Sequence, residues 1–201
     1  MKYNLILASN SPRRKELLAG LNIPFQVMVK SGIDESYPQD IAAEEVPLFL
    51  SRKKAAAYIG DLAADDLLLT ADTVVILDNQ ILGKPHDAKA AKEMLRYLSG
   101  RKHLVVTGVS LTSLVLSESF KVVSEVTFKT FTSQEIDYYV EQYHPMDKAG
   151  AYGIQEWIGY IGVTALSGSY YNVMGLPVQR IYQVLCEKFD FSLPYSGAIK
   201  P

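Results

Sequence analysis

Apolar positions along the chain change period several times, and each change marks an element. Leu5, Ile6, Leu7 and Ala8 are an unbroken apolar run, so Tyr3–Ala8 reads as a short buried strand. Leu17, Leu18 and Leu21 then recur at helical spacing, predicting a helix from Pro12 to about Leu21 with Ser11 as its N-cap. Phe25–Val29 is apolar and partly β-branched, a second strand, and Lys30–Asp40 lacks periodicity and reads as a long binding loop or lid. Pro47 starts or interrupts a helix that directs Leu50, Ala57 and Tyr58 to a core and projects Arg52, Lys53 and Lys54.

Leu67–Leu77 (LLLTADTVVIL) is the most hydrophobic stretch and predicts a central strand buried on both faces. Asp78-Asn79 turns it into Gln80–Leu82 as a hairpin. Ala91, Met94, Leu95 and Leu98 mark one face of an amphipathic helix capped by Asp87 and ended by Ser99-Gly100. His103–Ser113 and Phe120–Phe131 predict an antiparallel pair of strands, and Thr132 with Glu135 forms a capping-box pattern opening a helix to about Gln142. A Gly/Ala turn at Lys148–Tyr152 and a strand at Gly159–Leu166 follow. A last helix carries Val178, Ile181, Tyr182, Leu185 and Cys186 on one face, ahead of a loose tail over Phe191–Pro201. No repeat or linker divides the chain, which reads as one α/β domain over residues 1–201, with room for two lobes.

One local feature conflicts with helix physics. Arg13, Arg14 and Lys15 fall in the first turn after Ser11, where free backbone N–H groups and the helix dipole already present positive charge. Three cations there cost a few tenths of a kcal/mol each, relieved only in part by Glu16. An anion such as a phosphate on that helix end would account for them, against the plainer alternative of a solvated basic turn.

Composition narrows the partners. The 201 residues are 48% hydrophobic and 21% charged with net charge −2, so no global field draws the chain to nucleic acid or an anionic membrane, and any polyanion site must be a local cluster of cations. The single Cys186 excludes an intramolecular disulfide or a multi-cysteine zinc site and reads as core packing. No run approaches the length of a membrane span, and the apolar start is too short for a signal peptide, which predicts a cytoplasmic protein.

Asp72, inside the central strand, is the sharpest candidate for chemistry. A carboxylate in that setting must be desolvated, paired, on a metal or at the strand's end, against the plainer alternative of a bulge aspartate satisfied by backbone donors, and the nearby Thr70 and Thr73 suggest a polar patch. Lys84 sits in a rigid Gly-Lys-Pro turn, Glu35 in the long loop, and Lys54 beside two lysine and arginine neighbours that look equally solvated. The loop from Lys148 ends at Gln155, whose amide can read a base edge. The phosphate motifs G-x-x-x-x-G-K-[ST] and G-x-G-x-x-G and the nucleophile elbow G-x-S-x-G are absent. His86, His103 and His144 lack ligand spacing, which argues against a zinc hydrolase, and Ser9 and Ser11 lack a local base. What remains is a set of cations with a buried aspartate, suited to a polyphosphate with Mg²⁺ or Mn²⁺.

The ordered segments LASNSPRRKELL, Asp34-Glu35, Lys54-Ala55, Ala71–Val75, Gly83-Lys84-Pro85, Thr107-Gly108-Val109, Asp147–Gln155 (DKAGAYGIQ) and Gly168–Pro177 (GSYYNVMGLP) resemble the Maf family from about Tyr3 to Leu185. The resemblance implies a nucleoside triphosphate pyrophosphatase that cuts between the α and β phosphates with a divalent metal. It also implies an inosine triphosphate pyrophosphatase-like fold: an elongated mixed β-sheet with flanking helices, bilobal with a central cleft. Carried over by position, Asp72 matches the proton acceptor, and Arg13, Thr73 and Gln155 match positions linked to substrate choice. Ser9, Arg14, Glu35, Lys54 and Lys84 match the remaining polar cleft positions, with Glu35 and Asp72 the candidate metal ligands. The last two segments look like the branch acting on dTTP and UTP, and modified pyrimidine nucleotides fall within the same expectation. The branch acting on 7-methyl-GTP is expected to differ at the Gln155 loop. The family association with septum formation keeps open a nucleotide-binding regulator of division, and the resemblance extends to a homodimer. Two positions depart from the pattern: Thr70 stands where a glycine is common, and Trp157 stands where a small residue is expected and could reshape the base pocket.

Overall fold

The computed structural model describes residues 3–191. Its axis is the apolar run expected to be central, strand β3 (Asp66–Leu77). One edge of β3 is covered by β5 (Lys102–Thr112), antiparallel from Leu68↔Thr112 to Ile76↔Leu104. The other edge is shared. β1 (Asn4–Leu7) lies parallel to Asp66–Leu69, and β4 (Gln80–Leu82) lies antiparallel to Val75–Leu77. Between them, residues 70–74 have no strand neighbour on that edge among the described residues. β2 (Phe25–Val27) extends the sheet beyond β1, while β6 (Ser117–Phe128) and β7 (Val163–Ser167) extend it beyond β5. The result is a seven-stranded mixed sheet in the order β2-β1-β3-β5-β6-β7, with β4 on β3 off that path. The β3–β4 turn needs two left-handed residues, and Asp78 (φ 51°) and Asn79 (φ 61°) supply them, as Asp and Asn do more readily than most side chains.

Side-chain alternation sends β3 into separate cores. Leu67, Leu69 and Ala71 pack with Leu17 and Leu18 of α1 (Pro12–Ala19) and Ile181, Leu185 and Phe189 of α7 (Val178–Phe189). Farther along the same face, Val75 and Leu77 pack with Leu95 and Leu98 of α3 (Ala88–Leu98) and Ile136, Tyr139 and Val140 of α4 (Ser133–Tyr143). Thr73 falls where these two cores meet. The opposite face is covered by α2 (Val46–Ala56). There Leu68 packs with Ile6, Ala55 and Tyr58, and Val74 and Ile76 pack with Val106 and Ala43.

Two residues set how close α2 comes. Gly108 is opposite Asp72 in the β3–β5 register, and a Cβ there would lie 2.3 Å from the backbone of Pro47 and Leu48. Only glycine lets the N-terminal turn of α2 rest on the sheet at that point. Thr70, the departure from the family pattern, is fully buried and its hydroxyl donates to Ser51 O of α2 at 2.7 Å. Its polar atom is therefore satisfied, and it ties the same helix down.

Most local signals produced the expected elements. Ser11 caps α1 with Pro12 in its first turn, Asp87 caps α3 by accepting from Ala90 N at 2.7 Å, and both halves of the Thr132–Glu135 capping box form. Pro47 starts α2 rather than interrupting it. Three expectations fail. Ala57 lies past the end of α2 and is exposed; Ser51 and Ala55 fill the core face with Leu50 and Tyr58. The strand expected over Gly159–Leu166 is a helix, α5 (Trp157–Gly162), followed by β7. Its β-rich composition is overridden by tertiary packing, with Ile158 fully buried against the α3–α4 core and Gly159 pressed on the backbone of Ile154. Of the tail expected over 191–201, Phe191 is buried at 3% exposure and its N–H donates to Leu185 O at 3.2 Å; residues 192–201 lie outside the described residues. No helix among the described residues is long and apolar enough to cross a membrane.

Candidate active site

The bare edge of β3 is where the polar residues gather, for a backbone reason. Leu69 O still bonds Ala8 N, but β1 then ends and the next carbonyl on that edge, Ala71 O, has no strand partner. Arg14 supplies the missing donor: Nη1 reaches Ala71 O at 2.8 Å, Nη2 reaches Thr73 Oγ1 at 3.0 Å, and Nε reaches Gly175 O at 2.9 Å. All three acceptors are uncharged, so Arg14 is tightly held while no carboxylate among the described residues forms an ion pair with it. Burial pulls its guanidinium below the ordinary arginine value, partly offset by the charge of Asp72, and an arginine remains a cation under such a shift. Gly175 adopts φ 109°, which favours glycine, and brings its carbonyl to Arg14 just beyond the short helix α6 (Tyr170–Val173).

On the opposite face of β3, Lys54 of α2 joins two carboxylates, with Nζ 2.6 Å from Asp72 Oδ1 and 2.9 Å from Glu35 Oε1. Asp72 and Lys54 are both nearly enclosed, at 14% and 15% side-chain exposure. Glu35 reaches them because its loop is pinned: Lys53 Nζ binds Asp34 Oδ2 at 2.6 Å and Ser36 O at 2.7 Å. Burial alone would raise the Glu35 carboxyl. The hydrogen bond from Lys54 and the charges of Lys54, Lys84 and Arg14 outweigh it and hold Glu35 below the usual carboxylate range.

Two joined chambers open on this edge. The larger, about 440 Å³, is lined by Ser9, Glu35, Lys54 and Tyr58, and the smaller, about 130 Å³, by Thr73, Tyr152, Gly153, Gln155 and Met174. Ser11, Arg13, Arg14, Lys84 and Asp147 line both. In the smaller chamber the side-chain oxygen of Gln155 is buried without a hydrogen-bond partner among the described residues, an acceptor whose desolvation cost awaits a donor. The wall that carries Gln155 is braced from behind. Gly153 N donates to Tyr139 Oη at 3.0 Å, Tyr139 Oη donates to Glu156, and Glu156 pairs with Lys148 at 3.1 Å. Lys148 also binds Asp147 Oδ1 at 2.7 Å, and Asp147 Oδ2 meets Arg13 Nη1 at 3.1 Å. Burial would raise the Asp147 carboxyl, but Lys148 and Arg13 together hold it below its ordinary value.

Of the residues singled out from sequence, Ser9, Arg13, Arg14, Glu35, Lys54, Thr73, Lys84 and Gln155 all line one chamber or both. Asp72 is not on the lining; it stands behind Lys54. Trp157 does not enter the smaller chamber and packs instead against Tyr138, with ring centroids 4.9 Å apart. Sequence reasoning overlooked Lys53 and the Asp147–Lys148–Glu156–Tyr139 chain; the only sequence signal of the latter is the charged Asp-Lys pair leading the small-residue loop.

A divalent cation can be weighed against the donors present. Glu35 and Asp72 converge on one point, now filled by the Lys54 ammonium, and among the described residues no group of three or more His, Cys, Asp or Glu side chains could hold a metal. Two carboxylates meeting at one point fit Mg²⁺ or Mn²⁺, which take one or two protein carboxylates and complete their shell with water and phosphate oxygens.

The chain is 57% identical over 184 residues to a dTTP/UTP pyrophosphatase of Phocaeicola vulgatus, covering 92% of this chain and 95% of that one. It is 55% identical over 181 residues to a protein of the same name from Bacteroides thetaiotaomicron, covering 90% and 94%. Among solved structures it is similar to a Mycobacterium abscessus nucleoside-triphosphatase / dITP/XTP pyrophosphatase (TM-score 0.46, 14% identity, 92% and 96% covered). It is also similar to the Staphylococcus aureus Ham1 protein (TM-score 0.46, 12% identity, 62% and 71% covered). The model of the Maf-like protein family matches residues 4–188, and with relatives of this identity over nine-tenths of its length the chain belongs to that family.

Proposed function

We propose that this chain hydrolyses dTTP and UTP to the nucleoside monophosphate and pyrophosphate, with Asp72 as proton acceptor and Glu35 and Asp72 as the carboxylates that hold a divalent cation. The observation that carries the reading is that two chambers share Arg13, Arg14 and Lys84, one ending at the buried acceptor of Gln155 and the other at the Lys54–Asp72–Glu35 cluster. The names of the family relatives point the same way.

In this reading the base enters the smaller chamber and the phosphates the larger. Uracil and thymine carry a ring N–H between two carbonyls, and Gln155 offers an acceptor for the first and an amide donor for one of the others. The charge of Arg14, with Arg13, Lys84 and the N-terminus of α1, neutralises the phosphates. A bound Mg²⁺ or Mn²⁺ would add polarisation of the phosphoryl oxygens. Asp72 stands behind Lys54, so in this reading Lys54 gives up Asp72 Oδ1 as substrate enters, and the opened carboxylate takes a proton from water as the water oxygen bonds to the α-phosphorus. The bond from that phosphorus to the α–β bridging oxygen breaks, and pyrophosphate leaves among the cations. The test is a pyrophosphate-release screen over canonical and modified nucleotides with Mg²⁺ or Mn²⁺. Release from dTTP and UTP that Asp72→Asn abolishes is expected; wild type and Asp72→Asn equally inactive on every triphosphate would sink the proposal.

A further inference from the structure

We infer that Asp147 accepts a hydrogen bond from the nucleotide's sugar hydroxyl, making a ribose subsite at the junction of the two chambers. The inference rests on the functional reading above and extends it to the part of the substrate between base and phosphates. With the base against Gln155 and the phosphates beside Ser9 and Lys54, the furanose must lie where the chambers join. Of the five residues lining both, Ser11, Arg13, Arg14, Lys84 and Asp147, three are cations and Asp147 is the one carboxylate.

A carboxylate on a polyphosphate path repels the ligand unless its charge is offset and its lone pairs are used. Here the charge is offset twice, by Arg13 Nη1 at 3.1 Å on Oδ2 and by Lys148 Nζ at 2.7 Å on Oδ1. The two contacts also fix the orientation of the carboxylate, and Lys148 is itself anchored, at 8% side-chain exposure, on Glu156. The Asp147 side chain remains 60% exposed. Each oxygen accepts two hydrogen bonds, so each keeps a lone pair, on a side chain that lines both chambers. An ionised carboxylate only accepts, which requires a donor from the ligand. The phosphates have none and the base is at the far end, so the donor that fits is a sugar hydroxyl.

The test pairs deletion of the side chain with deletion of the hydroxyl. Pyrophosphate release is measured from dTTP and from 2′,3′-dideoxythymidine triphosphate, which has no sugar hydroxyl, with wild type, Asp147→Ala and Asp147→Asn. Wild type is expected to prefer dTTP in kcat/KM by about tenfold or more, the value of a hydrogen bond to a charged group. In Asp147→Ala the preference falls to near one, and Asp147→Asn, which keeps an acceptor, falls between. A preference that survives Asp147→Ala undiminished would mean that Asp147 only holds Arg13, and the inference is overturned. So too if wild type treats the two substrates alike, an outcome that requires no variant to fold. Should wild type release no pyrophosphate from any triphosphate, the functional reading itself fails and the subsite falls with it.

Discussion

Arg13 and Arg14 are adjacent, identical in type and equally misplaced on a helix N-terminus, yet the structure assigns them opposite roles in stability. Replacing Arg14 with Met removes bonds of 2.9 and 2.8 Å to the carbonyls of Gly175 and Ala71 and one of 3.0 Å to Thr73. Thr73 keeps Thr107 at 3.0 Å and still reaches Gly175 O at 3.4 Å, so Ala71 O is the carbonyl that loses its side-chain donor. At about 1–3 kcal/mol for the orphaned acceptor and about 1 kcal/mol for the weakened Gly175 contact, less the relief of no longer burying a cation, Arg14→Met should cost about 2 kcal/mol. In a domain of this size that lowers Tm by about 4–8 °C. Replacing Arg13 removes one ion pair with a 60% exposed carboxylate, worth at most about 1 kcal/mol, and relieves a cation at a helix N-terminus by about 0.3–1 kcal/mol. The net should be near zero. Urea unfolding and thermal melting without nucleotide compare the two, and pyrophosphate release from dTTP should fall in both. An Arg14→Met protein as stable as wild type would show that the carbonyl clamp carries no stability. An Arg13→Met protein losing more than about 2 kcal/mol would return that residue to a structural role.

Two further outcomes are expected. Gly108→Ala would push the first turn of α2 off the sheet, since the new methyl would meet backbone rather than a yielding side chain, and so draw Lys54 from Asp72; a loss of roughly 3 kcal/mol or more with a collapse of dTTP hydrolysis is expected, and a fully active, wild-type-stable variant would contradict it. His103 is 2% exposed, bonds Tyr152 Oη at 2.8 Å, and is pulled by burial from 6.5 to about 4. Between those values the unfolded chain binds the extra proton, so this stability is present above pH 6.5 and lost as pH falls toward 4, about 2 kcal/mol between pH 7 and 5. Urea unfolding at the two pH values should show His103→Phe with that much less pH dependence, and equal slopes in the two proteins would refute the assignment.

Much of this architecture was legible in the chain because the interactions that specify it are local. The cap of α1 is one residue from its helix, the Asp-Asn turn joins neighbouring strands, and the apolar stripe of α3 repeats within three turns. Asp72 stood out for a local reason too, as a carboxylate inside an otherwise apolar strand. Where local signals were ambiguous, packing decided. Residues 157–162 have strand-like composition but form α5 because Ile158 and Gly159 are needed against Tyr139, Ile154 and their neighbours.

The chemistry-bearing contrasts were not local. Sequence could name Arg13 with Arg14 and Lys53 with Lys54, but caps and periodicity do not separate the members of either pair. Their partners come from far along the chain: Gly175 and Ala71 for Arg14, Asp147 for Arg13, Asp72 for Lys54. Those partners exist as such only because β1 and β4 share one edge of β3 and leave residues 70–74 bare between them. The sequence thus specified its helices, turns and central strand through caps and periodicity, which act over a few residues. Strand order decided the bare edge and the convergence of cations and carboxylates on it, because a backbone group left without a neighbour is a property of the assembled sheet and of no single segment.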